Sequence, residues 1–273
     1  MKLGRFYGGY VPSRPEARGT HEPHAMRFMI DGGFSVTPDA VDNGSLLPVV
    51  LNQGGQGSCV GHAVAEALWG AMIRQRAEAG LPPAEQPSPA WCYELGRVID
   101  GNVNQDVGTS PYSAFHGAIA LGLVTESQLP YSDAVLETPD ERTPALERLA
   151  FDQKIVDGLA RITTTGTNRL NSIRQALAAG YLVVFGTQVD QSFEDLGPGD
   201  VWPGLTGESL GGHCLVWTGY RTVNGRVQFR TRNSWGPGWG DGGSCWMDQD
   251  AVAGCMDLWI VSSAPEWSGT VDQ

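Results

Sequence analysis

Apolar residues at Val60, Ala63, Val64, Ala67, Leu68, Ala71 and Met72 follow a glycine-rich stretch. They have the i, i+3, i+4, i+7 spacing of a helix with one buried face. The pattern predicts a helix from residue 58 to about 79, stopped at Gly80. Ser88-Pro89 and Ser110-Pro111 are helix starts with proline at the first helical position, so helices follow over about 89–99 and 111–121. Thr143-Pro144 opens another toward Gly158, and a short one covers about 168–179. Then the character changes. Residues 181–186, 214–220, 227–230 and 258–261 read as strands between Gly-rich turns, with Asn224-Gly225 as a hairpin signal. The expectation is an α+β chain: an N-terminal arm over 1–45, a helical lobe over 46–162, a β lobe over 163–262 and a tail over 263–273. No internal repeat is evident.

Composition narrows the class. With 273 residues, 41% hydrophobic content and 9 Trp, the chain can fill a core without staples. Five cysteines, with no C-x-x-C pair, suggest neither a full disulfide framework nor a zinc site, although one bridge among Cys92, Cys214, Cys245 and Cys255 stays open. The first residues lack an apolar signal-peptide core, and no window approaches the roughly 20 apolar residues of a membrane span. The compartment expected is therefore the reducing cytoplasm. A net charge of −12 and a pI near 4.7 argue against nucleic-acid and membrane partners, which demand clustered Lys and Arg. No cofactor is implied. The arm is rich in Gly, Pro, Arg and His; its His21 and His24 read as surface residues.

The candidate chemistry begins at Cys59, in the first turn of the first long helix. Ser58 is placed to cap that helix, and the helix dipole beside the sulfur favours thiolate over thiol. A lone cysteine is more often an inert buried residue. Two later stretches change that: Gly211-Gly212-His213 entering a strand, and Asn233-Ser234-Trp235-Gly236-Pro237-Gly238-Trp239-Gly240 twenty residues on. His62 is the rival base, but at i+3 on the same helix it cannot face the sulfur from an opposing wall, and it reads as a packed core histidine. Cys214 beside His213 hints at metal ligation, yet adjacent strand residues face opposite sides, so no metal site is assigned.

These motifs resemble the papain-like (C1) cysteine peptidases. Gln53 lies six residues before Cys59, and the Gly-Gly-His and Asn-Ser-Trp-Gly runs follow in the family's order. Gly122 through Leu129-Pro130-Tyr131 is similar to the family's Gly…Pro-Tyr segment, and Asp106-Val107-Gly108-Thr109 to its substrate-side loop. The resemblance spans about residues 46–261. It implies a papain-like fold, a helical lobe and an antiparallel β-sheet or barrel lobe with the site between them. It also implies roles. Cys59 is the nucleophile, His213 the acid and base, Asn233 the group orienting His213, and Trp235 its shield; Gln53 and the Cys59 N–H form the oxyanion hole. Gly108, Thr109, Ser110, Pro111, Gly212 and Trp235 are the substrate-side candidates.

Departures bear on the reading. Gln56 stands where the family has a disulfide cysteine, and Val60 where an aromatic follows the nucleophile. The segment before Gln53 is too short for a full inhibitory pro-segment plus a mature N-terminus, which puts zymogen control in question and makes the chain look like shorter bacterial or phage-encoded forms. The reading is a cysteine endopeptidase acting on proteins or peptides. Its first competitor is a structural or assembly component of a virion or secretion complex, joined through the arm. Its second is a related amidase or transpeptidase.

Overall fold

The computed structural model describes residues 9–14, 37–133, 142–151 and 158–262. Its central element is α1, Cys59–Glu78, in which every residue from Cys59 to Met72 is buried. The sequence predicts one buried face; the structure encloses the helix on all sides as far as Met72. Small residues make this feasible. A Cβ on Gly61 would stand 2.6 Å from Pro89 O, and one on Gly70 would stand 2.4 Å from Leu182 Cδ1. Neighbours thus close on the α1 backbone itself.

Helix α2, Pro89–Asp100, packs on α1 and on α3, Pro111–Leu121. Both follow the serine-proline logic: Ser88 Oγ accepts from Trp91 N and Ser110 Oγ from Ser113 N, each at 3.1 Å. Gly101, with φ 74°, closes α2 in the left-handed conformation. A fourth helix, α4, covers Pro144–Phe151, and α5 runs over Gly166–Ala178.

The strands are β1 (Ala40–Asp42), β2 (Leu159–Arg161), β3 (Val183–Val189), β4 (Val201–Trp202), β5 (Gly211–Val223), β6 (Arg226–Arg232), β7 (Ser244–Asp248) and β8 (Met256–Val261). They form one sheet in the order β2-β8-β3-β5-β6-β7-β4, with β1 added on β5. All pairs are antiparallel except β4 with β7. The sheet is an open path, so the barrel form of the expectation gives way to a mixed sheet in an α+β fold. Asn224 (φ 50°) and Gly225 (φ 77°) make the tight β5–β6 turn that Asn-Gly predicts.

Strands β3 and β5 are buried on both faces. Val184, Cys214 and Val216 join the core around α1; Val183, Phe185, Leu215 and Trp217 join a second core with Ile173 of α5. Burial on both sides explains their near-continuous apolar runs. His213 therefore sits in a stiff element sandwiched between two cores.

Candidate active site

The loop Gln53–Ser58 delivers Cys59 to the start of α1, where the residue is 1% exposed. Ser58 does not cap the helix. Its backbone (φ −98°, ψ 17°) is not extended, and its Oγ instead lies 2.8 Å from the Tyr131 hydroxyl and 3.4 Å from His62 Nδ1. The Tyr131 hydroxyl also donates to Gln53 O at 2.7 Å and lies 3.1 Å from Gln56 Oε1. The loop is fixed from its other side by Asp106, whose carboxylate accepts from Gly57 N at 3.1 Å and from the Tyr93 hydroxyl at 2.7 Å.

On β5, His213 Nε2 lies 2.8 Å from Asn233 Oδ1. Trp235 stacks on the imidazole at 4.8 Å with 27° between planes, and is 7% exposed. Phe193 and Trp239 pack behind it. Gln53 is joined to this same strip: its Oε1 accepts from Ser234 Oγ at 2.7 Å, and its backbone N donates to Ser234 O at 2.8 Å. Its Nε2 donates to Gln56 O at 2.9 Å. The sulfur completes the set, because the backbone N–H of Cys214, next to His213, is directed at Cys59. Gln53, Cys59, His213, Asn233 and Trp235 are thus brought together.

Residues Gly9–Arg14 cross this site. Thr109 N donates to Gly9 O at 3.0 Å and Val11 N to Thr109 O at 2.9 Å, a parallel pairing. Gly9 is so close that a Cβ on it would lie 3.0 Å from Cys59 Sγ. Burial pushes the Cys59 thiol up to about 12, against backbone N–H groups of Cys214, Val60 and Cys59 itself, which pull it down. Desolvation by burial thus opposes the thiolate that the helix dipole favours.

Residues 36–258 match the papain family cysteine protease profile. The chain belongs to that family. Among its relatives, an uncharacterized peptidase C1-like protein of Acanthamoeba polyphaga mimivirus is 25% identical, with 94% of this chain and 87% of the relative covered. Cysteine protease 1 of rice is 27% identical over 92% of this chain, which spans only 48% of that relative. Among solved structures, xylellain, a cysteine protease from Xylella fastidiosa, is 26% identical with a TM-score of 0.76, covering 97% of this chain and 99% of that one. Bromelain from Ananas comosus, solved with the E64 inhibitor, shares the fold at a TM-score of 0.64 and 20% identity, covering 83% of this chain and 99% of that one.

Against this family frame the remaining predicted residues sort themselves. Gly108 and Thr109 meet the covering segment, and Gly212 lies under Tyr10, whose O would be 2.8 Å from a Cβ there. Ser110 and Pro111 start α3, and Ser110 Oγ is spent on its cap. His62 is buried with Nδ1 3.0 Å from Ser58 O; burial lowers it to about 4, as befits a packed histidine. All five cysteines are free and buried, so the bridge left open by the sequence is not formed. His21 and His24 lie outside the described residues. Among the described residues no helix is long and apolar enough to cross a membrane.

Two residues at the site escape the sequence reading. Asp257 is 4% exposed at φ 52°, and its carboxylate accepts from the Tyr10 hydroxyl at 2.8 Å, Ser13 N at 2.7 Å and Arg161 Nη2 at 2.8 Å. Gly186 on β3 faces the Tyr10 ring, whose Cζ would be 2.1 Å from a Cβ there. An acidic residue at the head of the apolar run 258–261 was the available sequence signal for the first; nothing marked the second.

Proposed function

We propose that the chain is an endopeptidase that hydrolyses peptide bonds of proteins or peptides through Cys59, His213, Asn233 and Gln53. The observation that carries this reading is the 2.8 Å contact of His213 Nε2 with Asn233 Oδ1, held under Trp235. It leaves Nδ1 as the nitrogen that exchanges a proton with Cys59. The proton passes from sulfur to Nδ1, and the thiolate attacks the scissile carbonyl carbon. The Cys59 N–H, which at the helix start has no intrahelical acceptor, and Gln53 Nε2 hold the oxyanion. Loss of one such donor typically costs about 3–4 kcal/mol of barrier. Imidazolium protonates the leaving amine, giving a thioester. His213 then deprotonates water, which attacks the thioester and releases the acid and the thiol.

Substrate recognition uses backbone first. The Gly108–Thr109 edge pairs with an extended chain, as it does with Gly9–Val11, and this needs no particular side chain. Five buried thiols without a bridge support a reducing compartment, the cytoplasm. The covering segment explains why peptides need it displaced. Its Gly9 carbonyl accepts from Thr109 N rather than from the oxyanion donors, so it lies in the cleft without being activated for attack.

The test is cleavage of a denatured protein by the full chain under reducing conditions, in wild type and Tyr10→Ala backgrounds. Cys59→Ala is expected to abolish the activity, and a thiol-directed epoxide to silence it at one adduct per chain. Cleavage that survives Cys59→Ala would overturn the reading.

A further inference from the structure

We propose that the slot beside Cys59 ending at Asp257 selects a tyrosine side chain of the substrate. The inference rests on the peptidase reading above and names its substrate class. Tyr10 displays the fit. Its ring lies over Gly186 and Gly212, where a Cβ would stand 2.1 Å from Cζ and 3.0 Å from Cδ1 respectively. Two bare backbones therefore make a flat space that a branched or bulky wall would close. Tyr10 is 5% exposed, so the slot is filled.

The end of the slot carries the specificity. Asp257 Oδ2 accepts from the Tyr10 hydroxyl at 2.8 Å, while Oδ1 accepts from Arg161 Nη2 at 2.8 Å. Because Arg161 already neutralises the carboxylate, a lysine or arginine inserted here would add a second cation to a buried site that has one anion. A phenol adds a donor and no charge. Phenylalanine fills the same space but leaves Oδ2 without the hydroxyl, and Ser13 N, its other donor, departs with the covering segment. A site built around a substrate hydroxyl rejects the analogue lacking it, because the buried acceptor is left unmet. Discrimination of tyrosine over phenylalanine of about 10- to 100-fold is expected.

The test uses the full chain carrying Tyr10→Ala, which opens the slot. Two synthetic peptides that lack a counterpart of Ser13 are compared, Gly-Tyr-Val-Pro and its phenylalanine analogue, for protection of Cys59 from iodoacetamide. Protection requires no turnover, so a chain that never cleaves a peptide still answers. The tyrosine peptide is expected to protect at about 10- to 100-fold lower concentration, and the gap to shrink when Asp257→Asn is added. Equal protection by both peptides, or better protection by a lysine analogue, overturns the proposal. If Tyr10→Ala does not fold, Tyr10→Phe in the otherwise native chain reads the same hydrogen bond. Cys59 should then alkylate about ten-fold faster than in wild type, and an unchanged rate overturns the proposal. Cleavage sites mapped by mass spectrometry separate the two readings: Cys59-dependent cleavage without tyrosine enrichment sinks the slot and spares the peptidase.

Discussion

Gly9→Ala places one methyl group where the covering segment meets the nucleophile loop. A Cβ at residue 9 stands 2.3 Å from Gly57 O, 2.6 Å from Gly57 C and 3.0 Å from Cys59 Sγ. The first two are backbone atoms, and Gly57 N is tied to Asp106, so they cannot swing aside. Gly9 is not in the left-handed region, so the overlap is the whole effect. Overpacking of this kind costs about 1–3 kcal/mol. The lifted segment has no such contact, so the cost falls on the closed state alone, and the open population should rise roughly 5- to 150-fold. The assay is the rate of Cys59 alkylation by iodoacetamide, read on the Cys59 peptide. Where opening and closing outpace alkylation, that rate scales with the open population. Hydrogen exchange at Val11, whose N–H pairs with Thr109, should accelerate by the same factor. An unchanged alkylation rate would refute the reasoning. So would faster exchange throughout α1, because the variant would then be unfolding rather than uncovering.

Ser234→Ala removes the hydroxyl that holds Gln53 Oε1 at 2.7 Å. The amide then keeps only the bond from its Nε2 to Gln56 O, and kcat on a peptide substrate is expected to fall about ten-fold with KM little changed; a KM effect alone would contradict an oxyanion role. Glu66→Gln tests a buried carboxyl that burial raises to about 8, with Arg232 opposing. Below pH 4.5 both folded and unfolded chains hold this proton; as pH rises to 8 only the folded chain keeps it, so wild type loses up to about 5 kcal/mol relative to the variant across that window. Urea melts of both proteins at pH 5 and pH 8 check this, and a constant difference would show that Glu66 does not titrate there. Ser110→Ala deletes the α3 cap and is expected to lower stability by about 1 kcal/mol, a few degrees in Tm; an unchanged Tm would return Ser110 to the pocket wall.

The strongest sequence signals came from residues whose neighbours in the chain are also their neighbours in space. Gly211-Gly212-His213 and Asn233 through Trp235 each occupy one strand or one loop, so their order and spacing survive folding, and β5 and the loop after β6 bear out their positions. The helices around Ser88-Pro89 and Ser110-Pro111 were legible for the same local reason. What stayed hidden depends on partners far along the chain. β1, β2 and β4 have two or three residues each, too few to show alternation, and exist because β5, β8 and β7 offer edges. Asp257 acquires meaning only beside Tyr10 and Arg161, 247 and 96 positions away. Ser58 looked like a cap by type, but Tyr131, 73 residues on, claims its oxygen.

Gln53 N donates to Ser234 O, Gly236 N donates to Leu51 O, and Ser234 Oγ donates to Gln53 Oε1. Two segments nearly two hundred residues apart are thereby laced into one short ribbon, with Asn52 opposite Trp235. Any relative movement of the helices and the sheet that preserves these three bonds has its axis here. Displacement then grows with distance from the ribbon. Gln53 and Asn233, given the oxyanion and orienting roles in the proposed reaction, lie at the axis and stay in register, while Thr109, on the helical side, is free to move away from the sheet. A long chain could be admitted and released there without disturbing the alignment on which bond cleavage depends.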